Sequence, residues 1–180
     1  MKLSRKSSFI ALTAATLIVR AALPSHVVAA SSRSGATQWS VQVDKVAPGD
    51  VNIAPVFRIA IYENLLQELA NRKQFKQVLR SGDRNADGVL DLLILKTTVE
   101  SYTEGSETRR AVTTISGATK LKVRSELSTR EGQIVLKREL NGNVRFFGDN
   151  LRATHNLARN VANAINKSTL PEPMDSVPQQ

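Results

Sequence analysis

With 180 residues, 41% hydrophobic and 23% charged, the chain has material for one domain-sized core, which excludes wholesale disorder. It has no cysteine, so disulfides, thiol nucleophiles, iron–sulfur clusters, thiolate zinc sites and lipid attachment through an N-terminal cysteine are excluded. The formal charge of +9 falls to about +5 once Lys2, Arg5, Lys6 and Arg20 of an expected leader are left out, too little by itself to mark a nucleic-acid binder.

The first thirty residues read as an export signal. Lys2, Arg5 and Lys6 precede an apolar stretch from Phe9 to Val19, Pro24 breaks the run, and Val28-Ala29-Ala30 offers small residues for cleavage near Ala30. The apolar run is too short to span a bilayer, which takes roughly 20 residues, and Arg20 interrupts it. The expected mature protein is soluble and lies in the periplasm or outside the cell.

Residues 31–38, small and polar, read as a flexible lead-in to a single domain over 39–168. Trp39–Val43 alternates at period two, predicting a strand. Pro55 opens a helix to about Arg72, in which Ile61, Leu65 and Leu69 recur every four residues. Phe75–Leu79 predicts a short strand. VLDLLILKTTVESY predicts a central one, with Leu92 and Ile94 on one face and Leu93 and Leu95 on the other.

Beyond the turn TEGSETRR, Leu121, Val123, Ser125 and Leu127 share a face, with Lys120, Lys122, Arg124 and Glu126 opposite. Gly132 lies in a turn, and Ile134, Leu136 and Leu140 continue the inward row, which predicts a hairpin. Asp149 or Asn150 caps a last helix to about Lys167, with the stripe Leu151, Thr154, Ala158, Val161, Ala162 and Ile165. Residues 169–180, with three prolines in PEPMDSVPQQ, read as a disordered tail. The order β-α-β-β-β-β-α predicts an α+β fold, a mixed and mostly antiparallel sheet with two helices on one face.

Few segments carry recognisable chemistry. Asp83-Arg84-Asn85-Ala86-Asp87-Gly88 matches the start of a calcium loop, yet the twelfth position, which should supply a bidentate acid, is Ile94. A polar turn accounts for the same residues. His155 is the one histidine beyond the leader and has no cysteine or second histidine to join it; a half-buried helix position is expected. Glu100 with Glu104 and Asp87 with Asp91 are nominal carboxylate pairs with nothing to fix their separation. Neither a phosphate-binding loop nor a dinucleotide fingerprint occurs. No catalytic residue, metal ligand or cofactor is therefore assigned.

The basic row Lys120, Lys122 and Arg124, with Lys137 across the hairpin, is a possible face for an anionic partner. A turn at 129–132 would set Arg124 near Lys137 and Lys122 near Glu139, two cations facing each other. A solvated outer face explains the same charges. Nucleic acid is not expected, because no aromatic residue interleaves with the row.

The segments ENLLQELANRKQFKQVL and LDLLILKTTVESYTEG, the turn TREGQIV and the closing alanine- and asparagine-rich helix together resemble the DUF4410 family of exported bacterial proteins, over about residues 39–167. That resemblance implies a domain similar to periplasmic assembly modules such as the N-terminal domain of TolB and the curli-secretion lipoprotein, and carries no active residues with it. Three functional readings stand open. The first is a non-catalytic envelope module binding a protein or acidic glycan, with a homo-oligomer as one form of it. The others are a carboxylate-based hydrolase and a calcium-stabilised domain.

Overall fold

The computed structural model describes residues 39–106, 108–109, 117–144 and 149–173. The leader, the lead-in and residues 174–180 of the expected tail lie outside them.

The alternating run at the start forms β1 (Ser40–Val43), with Val41 and Val43 fully buried. Pro55, whose fixed φ suits a first helical turn, opens α1 (Pro55–Asn71), which has no side-chain cap at its N-terminus. The second strand is shifted from the expected Phe75–Leu79 to β2 (Val78–Arg80). Phe75 instead turns into the core ahead of it, and pairing begins where Val41 donates its amide to the Gln77 carbonyl at 2.9 Å. β3 (Leu92–Thr103), β4 (Thr119–Thr129), β5 (Ile134–Val144) and α2 (Arg152–Asn166) follow.

The sheet order is β2-β1-β3-β4-β5, with β1 parallel to both neighbours and the β3-β4-β5 ladder antiparallel. This is the α+β fold with a mixed sheet read from the element order. The helices pack on each other and on one face, over Leu93, Leu95, Val99, Leu121, Val123 and Leu127. Between them the Thr154 hydroxyl accepts from Asn64 Nδ2 at 2.8 Å and donates to the Leu151 carbonyl at 2.6 Å, so no hydroxyl valence is lost in this buried seam. The other face is covered at one corner by a short 3-10 turn, Arg84–Ala86, whose Ala86 packs with Leu79 and Leu92.

The cap residue of α2 is Leu151 and not the expected Asp149 or Asn150; Asp149 ties the turn ahead of the helix, its carboxylate accepting the Arg152 amide at 2.9 Å. The buried stripe of α2 differs at the start: Leu151, in the cap, is exposed, while Ala153 and Leu157 are buried. Gly142 of β5 lets α2 come close enough that a Cβ there would lie 2.1 Å from the Ala153 carbonyl oxygen. Asn156 and Asn160 of α2 then donate to the Asn143 and Asn141 carbonyls at 2.9 and 2.7 Å, covering that half of an edge strand. Residues 169–173, the described start of the expected tail, lie on the domain. Leu170 packs against the core, and the Pro171 carbonyl accepts the Trp39 indole N–H at 2.7 Å. No helix among the described residues is long and apolar enough to cross a membrane.

Candidate functional site

The basic row lies on the sheet face away from the helices, and its register differs from the expectation. Arg124 stands opposite Glu139 and Lys137 opposite Glu126, so the cations do not face each other. A bulge between Leu127 and Ser128 moves the pairing by one residue, and a turn one residue longer than expected, beyond the Ser128–Ile134 pair, moves it by another. The same irregularity leaves Ile134 exposed, against its expected inward position.

Glu100 of β3, which shares this face with Lys96 and Thr98, lies at a second bulge, between Val99 and Ser101. Glu100 pairs with Arg124, and with Lys122 at 3.3 Å; Lys122 also meets Glu139 at 2.5 Å, and Lys137 meets Glu126 at 3.1 Å. The hydrogen bond from Lys122, aided by its charge, holds the Glu139 carboxyl below the usual range, and the bonds to Glu139 and Glu100 push the Lys122 ammonium up. Three of the four nominated cations are thus engaged by carboxylates; Lys120, opposite Asn143, has no ion pair among the described residues.

The 83–88 segment does turn work. The Asp83 carboxylate accepts the Asn85 amide at 3.0 Å. From the β4–β5 turn, which lies at the same end of the strands, Arg130 donates to the Asp87 carbonyl at 3.3 Å and to the Ala86 carbonyl. A guanidinium thus already lies on two oxygens of this turn. No cluster of three or more His, Asp or Glu side chains suited to a metal occurs among the described residues.

The nominal carboxylate pairs are taken up separately. Glu100 is bound by cations, Glu104 accepts from Asn150 at 3.4 Å, Asp91 is buried and Asp87 is exposed. His155 is half-buried on α2, with Nε2 3.8 Å from a Glu68 carboxylate oxygen and 3.1 Å from Arg159.

A feature the sequence reading passed over lies beside α1. Pro55, Arg58, Ile59, Tyr62 and Glu63 line an open groove of about 340 Å³ whose other wall is Lys45 and Val46, just beyond β1. Val56 and Ile59 are 54% and 61% exposed on the same two turns. Neither Lys45 nor Arg58 has an ion pair among the described residues, and Arg58 Nε is buried with no hydrogen-bond partner. Glu63 makes a bidentate pair with Arg80 at 2.6 and 2.7 Å, which holds its carboxyl below the usual range, and the guanidinium lies 5.8 Å from the Tyr62 ring centre. Tyr62 is fixed further by accepting the Ser81 amide at 3.0 Å. The signal was present in the stretch PVFRIAIY, which is apolar on nearly every side of the helix, where a surface helix needs one apolar stripe.

No family model matches the chain, and no curated protein matches it. Among solved structures, a PelC dodecamer from Paraburkholderia phytofirmans superposes with a TM-score of 0.56 at 12% identity, over 72% of this chain and 88% of that one. A substituted form of the same dodecamer gives 0.56 at 13% identity, over 72% and 90%. The likeness is one of fold.

Proposed function

We propose that this chain is an exported, non-catalytic module of the bacterial envelope that assembles with copies of itself and acts by binding another protein. The observation that carries the reading is the groove on α1, where exposed Val56 and Ile59 adjoin two cations without ion pairs. Scattered surface apolar residues need no explanation, but a concave apolar patch rimmed by charge marks a contact surface. The fold shared with PelC, whose structures are dodecamers, supports assembly, and the leader at 1–30 supports export. The resemblance to DUF4410 agrees with both. A protein partner is favoured over an acidic glycan because Lys122, Arg124 and Lys137 are already held by Glu100, Glu139 and Glu126.

The test is expression of the full chain in a bacterium, recovery of the processed protein, light scattering across a concentration series, and crosslinking in intact cells read by mass spectrometry. The expected result is a discrete multimer together with a recurring crosslinked partner. A monomer at every concentration that crosslinks to nothing overturns the reading. Turnover of any glycan, abolished by replacing Glu100, Glu104, Asp87 or Asp91 in a folded variant, overturns its non-catalytic part.

A further inference from the structure

The groove has a counterpart on the same molecule. Leu90, in the connection between the 3-10 turn and β3, is 74% exposed, more than any other large apolar side chain among the described residues. Its neighbour Val89 packs against Leu79, Ala86 and Leu92, and Arg130 ties down the carbonyls of Ala86 and Asp87, so Leu90 projects from a turn that is held in place. An exposed leucine on a braced turn keeps little conformational freedom to lose on docking.

The two features stand at opposite ends of the sheet. β1 and β3 are parallel, with Ser40 beside Leu92 and Val43 beside Leu95. Leu90 therefore lies next to the start of β1, where Ser40 donates its amide to the Asp91 carbonyl, whereas Lys45 and Val46 follow its end. Five residues of extended chain separate the two places by about 17 Å. Charge complements shape in part. The groove brings Lys45 and Arg58, and the turn brings the exposed carboxylate of Asp87, which has no ion pair among the described residues.

We infer that Leu90 of one copy seats in the α1 groove of the next, against Ile59 and Tyr62, in a head-to-tail contact. This rests on the reading that the chain assembles with itself, and it names the surfaces. Two different patches meeting in this way form a heterologous interface, which repeats around a closed ring when the rotation between copies closes. A patch that met its own copy would instead give a two-fold dimer.

Two single variants test it, each on an exposed side chain: Ile59→Asp, which blocks the groove, and Leu90→Asp, which blocks the knob. Circular dichroism and melting first verify that each folds; Ile59→Ser and Leu90→Ser replace any that does not. Each variant alone is expected to lose the multimer and run as a monomer. Mixed, they still hold one intact groove and one intact knob between them, so native mass spectrometry of an isotope-labelled mixture should show one-to-one dimers and nothing larger. A wild-type multimer that survives both substitutions overturns the inference while leaving self-assembly standing. Loss with Ile59→Asp but not with Leu90→Asp also overturns it, and shows the groove meeting its own copy. A monomeric wild type overturns self-assembly itself.

Discussion

Adding one carbon atom at Gly142 tests how α2 is seated on the sheet. A Cβ there would stand 2.1 Å from the Ala153 carbonyl oxygen, 2.6 Å from Leu157 Cβ and 2.8 Å from Leu157 N. Two of these neighbours are helix backbone, so no side chain can turn aside; α2 has to retreat by about 1 Å to reach ordinary contact distance. Overpacking of that kind costs about 1–3 kcal/mol. The retreat also stretches the Asn156–Asn143 and Asn160–Asn141 hydrogen bonds, now 2.9 and 2.7 Å, past useful length. Each contributes about 0.5–1.5 kcal/mol. Gly142→Ala should therefore destabilise the domain by roughly 2–6 kcal/mol, a large part of the 5–15 typical of a whole domain. Urea unfolding followed by circular dichroism measures it. Gly88→Ala is the control, because a Cβ there meets nothing within 4 Å and its backbone is not left-handed; it should stay within about 0.5 kcal/mol of the wild type. If Gly142→Ala matched that control, the close seating of α2 would be wrong.

Two further outcomes are expected. Glu139 and Glu63 have carboxyls lowered by Lys122 and by Arg80 respectively. Each therefore contributes stability that is present above the ordinary carboxylate range and lost as pH falls through its lowered value. Because both are exposed the effect on unfolding is small, so the cleaner reading is an NMR titration, in which Lys122→Ala should raise the Glu139 midpoint and Arg80→Ala the Glu63 midpoint. In the core, Thr97 and Ser125 stand opposite each other, buried, with neither hydroxyl oxygen hydrogen-bonded. Thr97→Val should stabilise the domain by about 1 kcal/mol in the same urea experiment, since it removes an unsatisfied polar group at constant shape; a loss of that size would mean the hydroxyl has a partner.

The fold was legible where burial follows a simple period. The β4 face from Leu121 to Leu127 alternates without interruption, and from Thr154 to Ile165 the expected stripe of α2 is buried, although Leu151 ahead of it is exposed. The bulges were not legible. Each shifts the register by one residue and flips which side chains face the core beyond it, so the pairing of Arg124 with Glu139 rests in part on a backbone irregularity that the side-chain pattern does not announce. This is why the sequence sets Arg124 beside Lys137, whereas each has an acidic partner; the expected approach of Lys122 to Glu139 is found. The groove escaped for a related reason. Counting every fourth residue of α1 finds the buried row Ile61, Leu65 and Leu69, and passes over Val56 and Ile59 on the side that row leaves open.

The two asparagines of α2 have a consequence for how copies of this chain can join. By occupying the carbonyls of Asn141 and Asn143 they withhold half of β5 from any incoming strand, and the charged run Lys137, Arg138, Glu139 discourages one along the rest. Only the three residues of β2 remain as a template at the opposite border. Growth by backbone pairing into a continuous ribbon is therefore disfavoured at both borders, which leaves side chains as the means by which copies could meet, and such contacts part and re-form without unravelling the sheet.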